Sequence, residues 1–266
     1  MTGKSDNPMR VIVTGAGGRM GREVVRAVAA QDDMELAAAV DASGHGADAG
    51  AVAGITPLGV LVEPEVKAAL ARSKPDVLVD FTIPRAVMAN LRAALEARVA
   101  CVVGTTGLTE DDLRQVEALC AQTGTPALVA PNFAIGAVLM MEFAARAARY
   151  FPAAEIVELH HDKKLDAPSG TARRTAELMA AAPGSQLELA GGPEGPRGLA
   201  VGPVRVHSVR LPGLVAHQEV IFGGLGQTLR LRHDSISRES FMPGVLLAVR
   251  TIRARTGLTV GLENLL

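Results

Sequence analysis

RVIVTGAGGRMGREVVRAVAA, residues 10–30, decides the fold. Residues 10–14 are a short β-branched run, residues 15–18 a glycine-rich turn, and from Arg19 onward valine and alanine recur at helical spacing. This is the first βα step of a dinucleotide-binding sheet. Gly15, Gly18 and Gly21 stand at G-x-x-G-x-x-G spacing with Gly17 in addition, which departs from the standard G-x-G-x-x-G, yet each physical requirement is met. Gly15 lets the chain turn off the strand, Gly17 and Gly18 let a pyrophosphate approach the backbone, and Gly21 permits close helix packing. A second strand is predicted over MELAAAVD, residues 34–41, so that Asp41 stands twenty residues beyond Gly21, where a carboxylate holds the adenosine ribose hydroxyls. Ala42, and not an arginine, follows it. An acid there repels a 2′-phosphate that no neighbouring guanidinium neutralises, so NADH is the favoured cofactor, with Arg19 and Arg22 leaving NADPH use open.

Strand and helix patterns continue to alternate. PDVLVDFT (residues 75–82), VACVVGTTG (residues 99–107) and PALVAPNF (residues 126–133) are apolar runs that each end in turn chemistry. In a doubly wound sheet those ends form the carboxyl edge where ligands bind, which puts Phe81, Gly104, Thr105, Thr106, Asn132 and Phe133 beside the nicotinamide and adenine. Asn132 is also placed to cap a helix over residues 134–150.

The chemistry concentrates in ELHHDKKLDAPSGTA, residues 158–172. His160 and His161 with Lys163 and Lys164 are groups that exchange protons near neutral pH or hold an anion. Pro168 suits the first turn of a helix, and Ser169, Gly170 and Thr171 would then present N–H groups and hydroxyls at its positive end. Neighbouring strand residues face opposite ways, so both histidines serve one site only where regular pairing ends. A strand over residues 154–160 and a helix over residues 172–181 flank the motif. Residues 183–202 are rich in Gly and Pro and read as mobile. VRVHSVRL (204–211), VAHQEVIFG (215–223) and QTLRLRHDS (227–235) alternate in places between apolar and polar, as in a sheet with one polar face. An amphipathic helix near residues 240–255 closes the pattern before Gly257.

With 266 residues, 48% of them hydrophobic, the chain has ample material for a core. A formal net charge of −1, one Tyr, six Phe and no Trp provide neither a basic footprint nor stacking platforms for nucleic acid. Cys101 and Cys120 follow no disulfide pattern and read as buried thiols in a reducing compartment. MTGKSDNPMR at the start lacks an apolar signal core, and no stretch reaches about 18 uninterrupted apolar residues. A cytoplasmic protein without membrane partners is expected.

GAGGRMG after the first strand, DFT, GTTG, APNF and above all the His-His-x-x-Lys-x-Asp-Ala-Pro-Ser-Gly-Thr run resemble the 4-hydroxy-tetrahydrodipicolinate reductase (dihydrodipicolinate reductase) family over nearly the whole chain. The resemblance implies an α/β fold with an N-terminal Rossmann-like doubly wound parallel sheet, and an inserted α+β domain built on a mixed or antiparallel sheet. It further implies a dinucleotide-binding domain of residues 1–132 and 241–266, a substrate-binding and tetramerisation domain of residues 133–240, and a homotetramer. The activity implied is NAD(P)H-dependent reduction of a cyclic imine dicarboxylate to tetrahydrodipicolinate, in the diaminopimelate route to lysine. His160 is implied as proton donor or acceptor, Lys164 as proton donor and His161 as a substrate contact, with Ser169, Gly170 and Thr171 as the carboxylate cradle. Gly15, Ala16, Gly17, Gly18, Arg19, Met20, Asp41, Gly104, Thr105, Thr106, Ala130, Pro131, Asn132 and Phe133 match the family's cofactor contacts, and no metal is implied. Several relatives carry arginine where this chain has Ala42 and Ile83, and both differences again favour NADH over NADPH. Another NAD-dependent imine or amino-acid dehydrogenase and a non-enzymatic dinucleotide sensor stay open as alternatives.

Overall fold

The computed structural model describes residues 7–189, 191 and 195–266. Two compact units divide the chain, Met1–Phe133 with Phe241–Leu266, and Ala134–Ser240. The chain begins in the first unit with β1 (Met9–Thr14), α1 (Arg19–Ala29), β2 (Met34–Val40), α2 (Ala49–Ala53), β3 (Val62–Glu63) and α3 (Val66–Ser73). It continues there through β4 (Val77–Asp80), α4 (Pro84–Glu96), β5 (Ala100–Val103), α5 (Glu110–Thr123) and β6 (Ala127–Val129). The second unit holds α6 (Ile135–Ala147), β7 (Ala153–His160), α7 (Gly170–Ala181), β8 (Leu199–Val201), β9 (Val204–Arg210), β10 (Ala216–Gly224) and β11 (Gln227–Ser235). The chain then returns to the first unit with α8 (Met242–Ile252) and β12 (Leu258–Val260).

The first sheet runs β12-β6-β5-β4-β1-β2-β3, and all its pairings are parallel. Its central strands are buried throughout their apolar runs, Val11 to Val13, Val77 to Val79 and Cys101 to Val103 among them, as expected where helices cover both faces. On α1 the buried residues Gly21, Val24, Val25 and Val28 fall at i, i+3, i+4 and i+7, one stripe facing the sheet. Thr109 and Asp112 close a capping box at the start of α5, and Pro84 opens α4. Strand order reverses between β1 and β4, which makes that carboxyl edge the crevice of the sheet. β3 and β12, at two and three residues, are too short to show a period in sequence; β12 is fixed by its pairing with β6.

The second sheet, β11-β10-β7-β9-β8, is mixed. β7 and β9 run parallel while the other neighbours run antiparallel. Ile156, Val206, Val220 and Phe222 on one face form a core with Met140 of α6 and Met179 of α7. Phe151 stacks tilted on Phe222 with ring centroids 5.5 Å apart, a favourable offset for two aromatic quadrupoles.

Several boundaries differ from the sequence reading. Ser169 is the N-cap of α7, its side chain accepting from the Ala172 N–H, so the helix begins at Gly170 and Pro168 lies outside the first turn. Ala134, with extended backbone, occupies the N-cap of α6 without a side-chain cap bond; Asn132 stands too early to cap it. A 3₁₀ turn at Arg238–Phe241 precedes α8, and Pro243 in the first turn of that helix sets its start. Within residues 183–202, read as mobile, β8 pairs antiparallel with β9, while residues 190 and 192–194 of that stretch, like residues 1–6, lie outside the described residues. Among the described residues, no helix is long and apolar enough to cross a membrane.

Candidate functional site

In the first unit a cleft of about 710 Å³ opens at the β1/β4 reversal, lined by Gly15, Gly18, Arg19, Met20, Asp41, Phe81, Gly104, Thr105 and Thr106 among others. Gly15 has φ +77°, and a Cβ there would sit 2.4 Å from the Phe81 carbonyl oxygen. At Gly21 a Cβ would meet the Gly15 carbonyl oxygen at 1.9 Å. The turn and the helix therefore close on each other only because both residues lack side chains. Gly18 caps α1 with no side-chain bond to the first-turn N–H groups, an arrangement that suits a pyrophosphate at the helix's positive end. Asp41 accepts from the Gly17 N–H at 2.8 Å and from both the N–H and the hydroxyl of Ser43 at 2.8 and 2.7 Å. It thus ties the glycine turn to the end of β2. Arg22 donates to the Gly17 carbonyl at 2.8 Å.

Gly104 admits the Phe81 ring, since a Cβ at that position would lie 2.1 Å from Cε1. Phe81 packs tilted on Phe133 at 5.8 Å. Ala16, Ala130 and Phe133 are buried, and with Gly17, Pro131 and Asn132 they do not line the cleft; residues 130–133 follow β6 at the same sheet edge.

Sequence reading passed over the centre of this edge. Asp80, the last residue of β4, is fully buried and accepts from five donors: the Thr14, Thr82 and Thr105 hydroxyls, the Thr82 N–H and the Asn90 amide, at 2.6–3.0 Å. All four donor residues line the cleft. The available signal was VLVD itself, an acid ending an apolar strand, because a buried carboxylate must be surrounded by donors.

In the second unit, β7 ends at His160, and the chain turns through a Lys164 N–H to His161 carbonyl bond of 3.1 Å. Regular pairing thus stops between the two histidines. Glu158, two residues earlier on the same face, has no exposed side-chain surface and is the hub of this unit. Its Oε2 pairs with His160 Nδ1 at 2.5 Å and accepts from Arg210 at 2.9 Å. Its Oε1 accepts from Arg210 at 2.7 Å and from the Ser169 N–H at 3.2 Å. Lys164 donates to Asp166 at 2.7 Å, and this bond holds the Asp166 carboxyl below its ordinary range. Ser169 is buried with its backbone N–H committed to Glu158, whereas Gly170 is exposed at the first turn of α7. Neither Glu158 nor Arg210 was singled out from sequence, although Glu158 opens the quoted motif.

Burial pushes the Glu158 carboxyl up, but hydrogen bonds from His160, Arg210 and Ser208 outweigh it and lower it from 4.5 to about 2. A carboxyl lowered on folding stabilises the native state fully above about pH 4.5, and that contribution is lost as pH falls through about 2. The gap corresponds to about 3 kcal/mol. Glu158→Gln should flatten the fall in unfolding free energy across that window, measured by urea titration at each pH; an unchanged slope would refute the assignment.

Both halves of the chain match family models, residues 9–133 that of the dihydrodipicolinate reductase N-terminus and residues 136–266 that of its C-terminus. The 4-hydroxy-tetrahydrodipicolinate reductase of Moorella thermoacetica is 51% identical over 261 residues, covering 97% of this chain and 98% of the relative. That of Listeria innocua is 48% identical over 265 residues, covering 97% and 100%. The dipicolinate-bound dihydrodipicolinate reductase of Paenisporosarcina sp. TG-14 superposes with a TM-score of 0.86 at 43% identity, covering 97% of this chain and all of that one. With its dinucleotide-type sheet, its His-Lys motif and these matches across both units, the chain belongs to the dihydrodipicolinate reductase family.

Proposed function

We propose that the protein is a 4-hydroxy-tetrahydrodipicolinate reductase, using a reduced nicotinamide to form tetrahydrodipicolinate in the diaminopimelate route to lysine. The observation that carries the reading is the second unit's cluster: His160, Lys164 and the start of α7 are tied to one Glu158–Arg210 pair. Proton donors beside a helix N-terminus suit a cyclic imine dicarboxylate, and a relative is solved with dipicolinate, a ring dicarboxylate, bound.

The nicotinamide, when bound, supplies a hydride. The chain's residues do the rest. Gly18 and the first turn of α1 receive the pyrophosphate, and Asp41 reads the ribose. Phe81, Gly104, Thr105, Thr106 and residues 130–133 serve the rest of the cofactor. His161, Ser169, Gly170 and Thr171 hold the substrate, with the N–H groups of α7 on a carboxylate. Once the substrate's hydroxyl has left as water, the ring is a conjugated imine; Lys164 hydrogen-bonds or protonates its nitrogen, which makes it a better hydride acceptor, and His160 supplies the proton that completes the net addition of one hydride and one proton.

Asp41 and the absence of arginine at Ala42 and Ile83 favour NADH over NADPH. Asp41→Ala should weaken NADH by about tenfold to a hundredfold, the worth of a charge-assisted hydrogen bond, and narrow its lead over NADPH. An unchanged ratio of the two specificity constants would remove Asp41 from the ribose site. Self-association into a homotetramer is part of the same proposal. It is supported by the face of β7 and β10 away from the helical core, where Val157, Leu159 and Ile221 stay only partly covered. Light scattering should then give four times the 27.6 kDa chain mass. A cytoplasmic location is supported by two buried, unpaired thiols, Cys101 and Cys120.

The deciding assay generates the hydroxy-tetrahydrodipicolinate from pyruvate and aspartate semialdehyde with a synthase and follows oxidation of NADH or NADPH. Turnover supports the reading. A folded protein that binds NADH but turns over neither cofactor overturns it.

A further inference from the structure

We propose that Glu158 is a positioning residue for this reaction: one buried carboxylate fixes both the His160 ring and the first N–H at the α7 N-terminus, so proton donor and anion cradle are set by a single group. Alternation along β7 puts Ile156, Glu158 and His160 on one face. Ile156 there packs into the core, yet the next inward position carries an acid with no exposed side-chain surface. A plain structural ion pair would explain Glu158 and Arg210 alone; it does not explain where the remaining bonds go. Both terminal nitrogens of Arg210 fork onto the two carboxylate oxygens, which fixes the carboxylate plane. The His160 ring and the Ser169 N–H must therefore conform to it, one on each oxygen.

An ionised carboxylate only accepts. Nδ1 of His160 consequently carries the proton, and Nε2 is the nitrogen that exchanges one with the substrate. The same pair reaches the second proton donor, because Arg210 also donates to the Asp166 carbonyl at 2.8 Å and the Asp166 carboxylate takes Lys164. Register explains the convergence: Arg210 ends β9 directly beside His160 on parallel β7.

The functional meaning rests on the reductase reading, and the test separates the two. Imidazole ¹⁵N spectra of the full chain, recorded above neutral pH and with His160 assigned by its loss in His160→Gln, report the tautomer whether or not the enzyme turns over. The wild type should show Nδ1–H. In Glu158→Gln the amide oxygen stays with Arg210 Nη2 and the Ser169 N–H, so its NH₂ gives up the Arg210 Nη1 bond, faces Nδ1 and drives the ring to Nε2–H. Turnover should then fall at least about a hundredfold, the lower end of what a correctly protonated general acid contributes, with NADH affinity unchanged and a smaller change in the substrate KM. A wild-type Nε2–H tautomer overturns the inference, even if Glu158→Gln fails to fold. So does a folded variant with wild-type tautomer and turnover. If the tautomer switches as stated but the wild type does not reduce the dicarboxylate, the positioning of His160 stands and the reductase reading falls.

Discussion

Lys164→Ala is expected to lower kcat by about two to four orders of magnitude, the range that a positioned general acid contributes, while the dissociation constant for NADH stays within twofold to threefold of wild type. The two readouts divide because Lys164 belongs to the second unit's network, where its ammonium pairs with Asp166, and the cleft proposed for the cofactor is lined by first-unit residues. A loss confined to the transition state lowers kcat and kcat/KM together; removal of uniform substrate binding raises KM alone. Lys164→Arg keeps the positive charge but presents a guanidinium that does not give up its proton, so it should recover KM before kcat. NADH titrated by fluorescence beside steady-state kinetics gives both quantities. Parallel loss of NADH affinity and turnover would place Lys164 in the wrong half of the chemistry.

The second large effect concerns stability. Asp80→Ala removes the shared acceptor of five donors in a buried setting, and each donor left unsatisfied costs about 1–3 kcal/mol. The hydroxyls can turn to other acceptors, as Thr14 already approaches the Val79 carbonyl at 3.4 Å, so the net loss should be about 3–5 kcal/mol and not the full sum. At about 2–4 °C per kcal/mol for a domain of this size, the melting temperature should fall by roughly 10 °C. NADH should also restore less of it than in the wild type, because Thr14, Thr82, Asn90 and Thr105 all line the cleft proposed for the cofactor. Asp80→Asn, which retains one acceptor oxygen, should fall between the two. A melting temperature for Asp80→Ala within 2 °C of wild type would show that the hydroxyls, and not the carboxylate, organise this edge.

The parallel sheet was legible because β1 and α1 carry opposing periods in residues 10–30 and because the runs that become β5 and β6 pass into Gly-Thr-Thr-Gly and Ala-Pro-Asn. The cluster proposed to carry the chemistry was legible because two histidines and two lysines lie within five residues of one another. The groups that hold them were not. Glu158 and Arg210 are 52 residues apart in sequence, and Asp80 gathers Thr14 from 66 residues away; such partners are chosen by strand order and leave no local spacing to read. Pro168 and Asn132 misled for the opposite reason. Each has a strong local preference for helix starts, but the backbone places the cap at Ser169 and at Ala134.

The pairing of β12 with β6 makes the first unit discontinuous. A ribosome releases six strands of that sheet, then the whole of the second unit, and only afterwards the segment that covers β6. Until then β6 is a bare edge of unpaired N–H and C=O groups, the kind of surface that recruits strands from other chains. The other edge needs no such cover, since β3 is only two residues long. Chaperone dependence during synthesis should therefore concentrate on one side of one sheet, and the last secondary-structure pairing to form is the one that makes the first unit safe from its neighbours.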